Sequence, residues 1–247
     1  MATTWRSAAS YASLIHADRR SFGWEWLRRH PPYQAAWRAR TVPPAAFGLL
    51  AYVDPTQAVP DARPIWASNI DARILDSRPR APGGNNFDQF DIRNLASYVS
   101  IAVDAEGIEH WLLSDGLWQV RLDIRDGTLL GGPVLLEHVL PGLETAARQM
   151  HTLRQLIALA QRGHLPPPLR PREARAPRWI LELRTADALA SQASYQEIAR
   201  SFFGKMVANE AAPFEASFAR ARVQRLARKA RQYLSNPFSG PWFRAPS

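Results

Sequence analysis

The stretch that decides the fold of the C-terminal third is SYQEIARSFFG, residues 194–204. Ser194 is a preferred helix N-cap residue, and Glu197 three positions later completes a capping box. Ile198 and Ala199 provide an apolar face, and Gly204 is typical of a helix C-terminal end. The pattern therefore predicts a short helix with marked ends, of the kind that opens a bihelical DNA-binding unit.

A long amphipathic helix is predicted next, from Phe214 to Leu234. Its apolar residues recur at alternating intervals of four and three and form one stripe: Ala219, Val223, Leu226, Ala230 and Tyr233. Six cations point away from that stripe, and no acid follows Glu215 within the helix. Solvated surface helices usually mix acids with bases, so we favour nucleic acid as the partner of this face.

The predicted DNA-contacting residues combine the capped helix start, where a phosphate can approach, with the cations of the long helix. They are Ser194, Tyr195, Gln196, Arg220, Arg222, Arg225, Arg228, Lys229 and Arg231. Nine residues, 205–213, separate the two helices, whereas a common helix-turn-helix uses about three or four. Either part of residues 207–212 is helical or the motif is a variant.

Helical and extended patterns precede this pair. Helical spacing runs from Trp179 to Ala190, after a proline- and arginine-rich connector at residues 163–177. Residues 97–140 alternate as three or four antiparallel strands. From Leu143 the period becomes helical, with one predicted buried face that comprises Ala147, Met150, Leu153, Leu156, Ile157 and Ala160.

The N-terminal half is less regular. The first 40 residues predict a small helical unit with four of the nine tryptophans, whose expected role is packing: Trp5, Trp24, Trp26 and Trp37. Residues 41–80 predict short strands and loops at best, and residues 81–86 predict a linker. The expected fold is α+β: an N-terminal helical unit within residues 1–84, then an antiparallel β meander and a helical helix-turn-helix bundle within residues 97–247.

Composition narrows the function classes. Residues from 150 onward hold 16 Lys and Arg against 6 Asp and Glu, whereas residues 1–149 hold 15 against 16. Such asymmetry suggests a polyanion-binding end. The absence of cysteine excludes disulfides, zinc fingers and thiol nucleophiles. No stretch has the length and hydropathy of a membrane helix or a signal peptide, so we expect a cytoplasmic, nucleoid-associated protein without a membrane partner.

Enzymatic patterns are missing. The six histidines lack metal-site spacing, and neither a nucleophile elbow nor a Walker loop is present. Dispersed carboxylates such as Asp115, Asp123 and Asp126 could in principle serve a nuclease, but Asp115 and Asp126 occupy turn positions. We expect no enzyme, no metal and no cofactor.

The order of motifs resembles a known family. From His110 to Phe243, the Ser-Asp-Gly hairpin, the strand at 132–134, the helix start at 178–180, the 194–199 motif and the arginine-rich helix resemble the domain-of-unknown-function 2285 family. That family is a helix-turn-helix variant found on proteobacterial integrative and conjugative elements. Tyr11-Ala12 and the segment from Gly23 to Tyr33 resemble the transcriptional-regulator-like domain that often precedes it.

The resemblance implies a function. It implies an activator of excision and conjugative-transfer genes that binds promoter double-stranded DNA, contacts RNA polymerase and is restrained by a small antiactivator of the same family. Antiactivator members share the fold without binding DNA. The alternative is therefore a protein-binding regulator whose basic helix docks an acidic partner or the polymerase.

Overall fold

The computed structural model describes residues 5–71, 73–82, 88–207 and 213–243. The helices are α1 (Arg19–Leu27), α2 (Pro31–Ala39), α3 (Leu143–Arg162), α4 (Ala176–Ala190), α5 (Tyr195–Val207) and α6 (Pro213–Ser235). The strands are β1 (Leu75–Arg80), β2 (Val99–Val103), β3 (Glu109–Ser114), β4 (Gln119–Ile124) and β5 (Leu135–Val139). Short 3₁₀ segments include Ala8–His16, Ile92–Tyr98 and Pro241–Phe243. With helices at both ends of the chain and a sheet between them, the α+β prediction is confirmed.

Two compact units divide the chain. One combines residues 1–35 with 172–247, and the other contains residues 36–171. The linker predicted at 81–86 lies largely outside the described residues, which omit 83–87. The predicted domain boundaries, residues 1–84 and 97–247, therefore stay a prediction. In space, the N-terminal segment belongs with the last three helices.

The unit of residues 36–171 is built on a five-stranded sheet with the order β2-β3-β4-β1-β5. The antiparallel meander from β2 to β4 was predicted, but β1 extends it in parallel, with Leu75 opposite Leu122. β5 then pairs antiparallel with β1. The sheet is therefore mixed rather than purely antiparallel. Short strands and loops at best are predicted for this part of the chain, and β1 is such a short strand, in which Leu75 and Ser77 are fully buried.

Helix α3 packs on this sheet through a face that differs from the predicted one. The buried residues are Gln149, Thr152, Gln155, Leu156, Ala158 and Leu159, whereas the side chains of Met150 and Ile157 are 41% and 47% exposed. Polar groups explain the rotation. The Gln149 amide donates to the carbonyl of Ile74, and the Gln155 amide donates to the carbonyl of Leu169. A buried carbonyl such as that of Ile74 needs a donor, so hydrogen bonding contributes to the orientation of α3.

The unit of residues 1–35 and 172–247 is joined by a buried ion cluster. The guanidinium of Arg29 donates from Nε to Oδ1 of Asp187 over 2.7 Å and from Nη2 to Oδ2 over 2.8 Å. It also forms an ion pair with Glu25, and the Tyr11 hydroxyl donates to Asp187 over 2.6 Å. Burial alone would raise the pKa of Asp187, but the charge and hydrogen bonds of Arg29 lower it below its usual value. The cluster therefore fastens α1 and the first 3₁₀ segment to α4.

Aromatic packing completes this attachment. The ring of Trp26 from α1 stacks on Trp242, with centroids 5.6 Å apart, and Trp242 also contacts Tyr233 of α6. Phe22 meets Trp179 of α4 edge to face, with centroids 5.0 Å apart. Trp5, Trp24 and Trp26 are all buried, in agreement with the predicted packing role, and Trp37 is half-buried. Trp5, Trp24 and Trp26 are thus core residues of the unit of residues 1–35 and 172–247.

We expect Asp187→Asn to destabilise the protein by about 3 to 5 kcal/mol at pH 7, because Arg29 would lose a buried ionic partner. The depressed pKa of Asp187 contributes stability that is present above the unfolded value and lost as the pH falls through the folded value. The difference in the free energy of unfolding between the wild type and the variant should therefore become smaller below about pH 4. Calorimetric unfolding across pH 3 to 8 measures it.

The matched control is Asp126→Asn, whose carboxylate is 74% exposed and 3.5 Å from Arg78. A surface pair of this kind is worth about 0 to 1 kcal/mol, so its removal should have little effect. Equal destabilisation by both variants would contradict the assigned role of Asp187.

Candidate nucleic-acid interface

The capping box predicted at the start of α5 is present. The backbone amide and hydroxyl of Ser194 donate to Oε2 of Glu197 over 2.8 and 3.0 Å, and the Glu197 amide donates back to the Ser194 hydroxyl over 3.2 Å. These bonds lower the pKa of Glu197. A carboxylate therefore already neutralises part of the positive helix end that was expected to face a phosphate.

The predicted end of this helix at Gly204 needs correction. The helix continues to Val207, and its backbone leaves helical geometry at Phe203, with φ −132° and ψ 29°. The break thus comes one residue before Gly204, and helical hydrogen bonding then resumes. Since α6 begins at Pro213, the interval between the two helices is residues 208–212, which lie outside the described residues.

Helices α5 and α6 pair in opposite directions. The guanidinium carbon of Arg231, near the end of α6, lies 5.8 Å from the ring centroid of Tyr195 at the start of α5. At the other end of the pair, Arg222 lies 4.6 Å from the ring of Phe203. Because each end of α5 contacts the opposite end of α6, the two helices lie side by side as an antiparallel pair. The helix-turn-helix assignment accordingly stays a prediction.

The predicted stripe of α6 is buried, and its cations lie outside it. Ala219, Val223 and Ala230 are fully buried, with Leu226 and Tyr233 at 7% and 6% exposure. Five arginines are exposed and Lys229 is half-buried. Among the described side chains, none of these six cations forms an ion pair with a carboxylate. Some of the cations have other partners. Arg222 lies over the ring of Phe203, and Lys229 donates to the side-chain oxygen of Gln232 over 3.1 Å.

A groove of about 510 Å³ lies between α4 and α6, and four of the six α6 cations line it. Its lining comprises Ala174, Pro177, Arg178, Leu181, Glu182, Arg222, Arg225, Leu226, Arg228 and Lys229. Five of the ten lining residues are cations. We call this feature the basic groove. It offers concentrated positive potential suited to a phosphate-bearing partner.

One acid lies in the basic groove. Glu182 is 1% exposed, and its Oε1 accepts from Nε of Arg178 over 3.1 Å. Its other oxygen, Oε2, has no hydrogen-bond partner among the described residues. Burial raises the pKa of Glu182, and the bond and charge of Arg178 oppose that rise only in part. The buried carboxylate thus tempers the field of the surrounding cations.

The structure brings four predicted residues together and separates the others. Arg222, Arg225, Arg228 and Lys229 line the basic groove, whereas Arg220 and Arg231 do not. Ser194, Tyr195 and Gln196 lie at the start of α5, with Tyr195 near Arg231. Sequence reasoning missed Arg178 and Glu182. Their spacing of four residues signals a helical ion pair, but its place opposite α6 depends on tertiary packing.

The carboxylates considered for nuclease chemistry are each engaged separately. Asp115 accepts from the backbone amide of Leu117 over 2.8 Å, as a turn residue does. Asp123 accepts from Arg121 over 2.7 Å, and Asp126 approaches Arg78. Within the described ranges, no group of three potential ligands could hold a metal ion. None of the helices in these ranges combines the length and the hydropathy that a membrane-spanning segment requires.

Comparison with protein families adds two matches. Residues 139–235, from the end of β5 to the end of α6, match the RovC family described as T6SS, Transcription factor, DNA binding domain. Residues 4–54 match the proteobacterial transcriptional regulator-like domain. No curated protein matches the chain. The two matches indicate a transcriptional regulator with a DNA-binding domain, and they point to a non-enzymatic protein. The resemblance to the 2285 family stays a prediction.

We expect Glu182→Gln to raise the melting temperature at pH 8 and to change it little at pH 4. A raised pKa in the folded state contributes stability below the unfolded value that is lost as the pH rises through the folded value. Glutamine removes that dependence and keeps the shape. Thermal unfolding of both proteins between pH 4 and 8 tests this.

Glu106→Gln, at an exposed turn position, is the matched control and should change the melting temperature little. A Glu182→Gln effect that is constant with pH would contradict an ionised carboxylate confined in the groove.

Proposed function

We propose that this protein is a transcriptional activator that binds promoter DNA through the basic groove and the outer face of α6. The observation that carries the proposal is the set of six α6 cations, which form no ion pair with a carboxylate among the described side chains. Arg178 adds a seventh cation from α4 on the groove side. Cations that form no ion pair with the protein's own carboxylates remain available to DNA phosphates.

Different residues have different proposed roles. Arg222, Arg225 and Lys229, three of the four α6 cations that line the basic groove, lie on one flank of the helix and are the proposed principal contacts. Arg220, Arg228 and Arg231 provide further phosphate contacts along the exposed face. Ser194, Tyr195 and Gln196 contribute less, because Glu197 occupies the positive end of α5. This ranking supports α6 as the helix that sets affinity.

The resemblance noted above supports excision and conjugative-transfer genes of a mobile element as the targets. RNA polymerase and a small antiactivator of the same family are the proposed protein partners. The matched DNA-binding family carries T6SS in its description, which names another class of target. Mapping of binding sites across the genome distinguishes these gene classes, whereas the DNA-binding proposal itself does not depend on them.

The direct test is DNA binding as a function of salt. For the wild-type protein we expect a log-log slope of roughly −4 to −6, about −0.9 per phosphate contacted. The triple variant Arg222→Ala, Arg225→Ala, Lys229→Ala should have a shallower slope and bind more weakly, by about 1 to 3 kcal/mol for each base edge that these side chains read in the wild type. Fluorescence anisotropy with promoter duplex measures both quantities.

A charge-matched control replaces three exposed arginines elsewhere: Arg38→Ala, Arg80→Ala, Arg162→Ala. This variant has the same net charge as the triple α6 variant and should keep the wild-type slope. A wild-type slope near zero would instead favour the protein-binding regulator, whose basic helix docks an acidic partner. Equal weakening of DNA binding in both triple variants would place the interface outside the basic groove.

A further inference from the structure

The core between α4, α5 and α6 contains a residue from the opposite end of the chain. Trp5 is 3% exposed and lies in one cluster with buried residues of all three helices: Ala188, Ile198, Ala199, Ala219 and Val223. Trp5 also lies outside residues 139–235, the region that matches the DNA-binding family. The N-terminal segment therefore contributes to the core on which the cation-bearing helix α6 rests.

Side-chain size makes Trp5 important in this cluster. Three of its buried helix residues are alanines, and the other two are Ile198 and Val223. The Trp5 ring meets Phe202 of α5 edge to face, with ring centroids 6.2 Å apart. Protein interiors are close-packed, so helices that present alanines to one another need a large side chain between them. Without the indole, α5 and α6 could close the resulting cavity only by moving.

Arg184 of α4 fixes the position of the N-terminal segment. Its guanidinium donates from Nε to the carbonyl of Trp5 and from Nη2 to the carbonyl of Arg6, each over 2.9 Å. Its guanidinium carbon lies 4.4 Å from the centroid of the Phe202 ring. Arg184 is 7% exposed and forms no ion pair with a carboxylate in the part of the chain that the structure describes. A buried cation of this kind depends on the two carbonyls, so α4 and the segment stabilise each other.

The segment contacts α5 at two levels. Trp5 packs on Phe202 in the middle of the helix, and Nη2 of Arg6 lies 3.1 Å from Oε1 of Glu197 in its first turn. The guanidinium of Arg6 also lies over the Trp5 ring, 4.2 Å from its centroid. Contacts at two levels restrain the direction of a helix as well as its place. Trp5 and Arg6 therefore orient α5.

A continuous series of ring contacts connects Trp5 to a proposed DNA contact. Beyond Phe202, the next ring is that of Phe203, with centroids 6.1 Å apart. The guanidinium carbon of Arg222 lies 4.6 Å from the Phe203 ring. Arg222 lines the basic groove. A displacement of α5 would consequently move the surface on which this arginine lies.

We infer that Trp5 is a positioning residue for DNA binding. It holds α5 against α4 and α6, so that Arg222 and the other cations are presented in one fixed arrangement. Binding groups need such support from the residues behind them. The inference rests on the proposed function, and it makes the N-terminal segment part of the DNA-binding unit rather than a separate module.

DNA binding by full-length variants tests the inference. Folded Trp5→Ala should bind promoter duplex roughly tenfold to a hundredfold more weakly than the wild type, which is the effect of displacing about one base-contacting side chain. Its log-log salt slope should be shallower, because fewer cations reach phosphates together. Trp5→Phe keeps an aromatic ring in the cluster and should restore most of the affinity. Fluorescence anisotropy measures these quantities.

The matched control is Trp118→Ala, which removes an equally buried tryptophan, 2% exposed, from the sheet unit. Both variants should melt at a lower temperature, but Trp118→Ala should keep the wild-type affinity for DNA. Circular dichroism confirms that each variant is folded at the assay temperature, and the pair Trp5→Leu and Trp118→Leu replaces an alanine variant that is not. Equal weakening by the two substitutions, or wild-type binding by folded Trp5→Ala, would overturn the inference.

Spin-label distances test the positioning without DNA, because the natural chain contains no cysteine. Labels on Gln196→Cys in α5 and Ser217→Cys in α6, both at exposed positions, report how the two helices are arranged. Trp5→Ala should shift or broaden the distance distribution, whereas Trp118→Ala should leave it unchanged. An unchanged distribution in Trp5→Ala would overturn the inference. A wild-type protein that binds no DNA would contradict the proposed function, and the labels would still decide whether Trp5 positions α5.

Discussion

The buried guanidinium of Arg29 holds the helical unit together. It lies between Glu25 and Asp187, and Asp187 also accepts the hydroxyl of Tyr11. A charge in such a position is stable only while its partners stay in place, so it fixes the N-terminal segments on α4. The same α4 provides Arg178 and Glu182 to the basic groove. The geometry of the candidate interface therefore depends on residues far away in the sequence.

Sequence patterns predicted much of the local structure. The capping box of Ser194 and Glu197, the buried stripe of α6 and the meander from β2 to β4 all follow from short-range periodicity and capping chemistry. Sequence patterns failed to predict the structure where contacts with residues distant in the sequence determine which face of a helix is buried. The buried face of α3 is set by carbonyls that Gln149 and Gln155 must satisfy, and periodicity alone does not register such demands.

The basic groove illustrates the same limit for the candidate site. The cations of α6 could be found from sequence because they occur within one helix without neighbouring acids. Arg178 and Glu182 could not, since their relation to α6 arises only when α4 packs beside it. The groove therefore contains both exposed cations and one buried carboxylate. Exposed arginines concentrate positive charge at the groove, and the buried Glu182 limits the positive potential there.

The central claim is that α6 and the groove side of α4 contact promoter DNA. Hydrogen–deuterium exchange of the full chain with and without duplex DNA tests it most directly. We expect slower exchange in residues 217–235 and in the first turns of α4, with little change in strands β1 to β5. Slowing confined to the sheet, or no slowing at all under conditions of saturating DNA, would contradict the account.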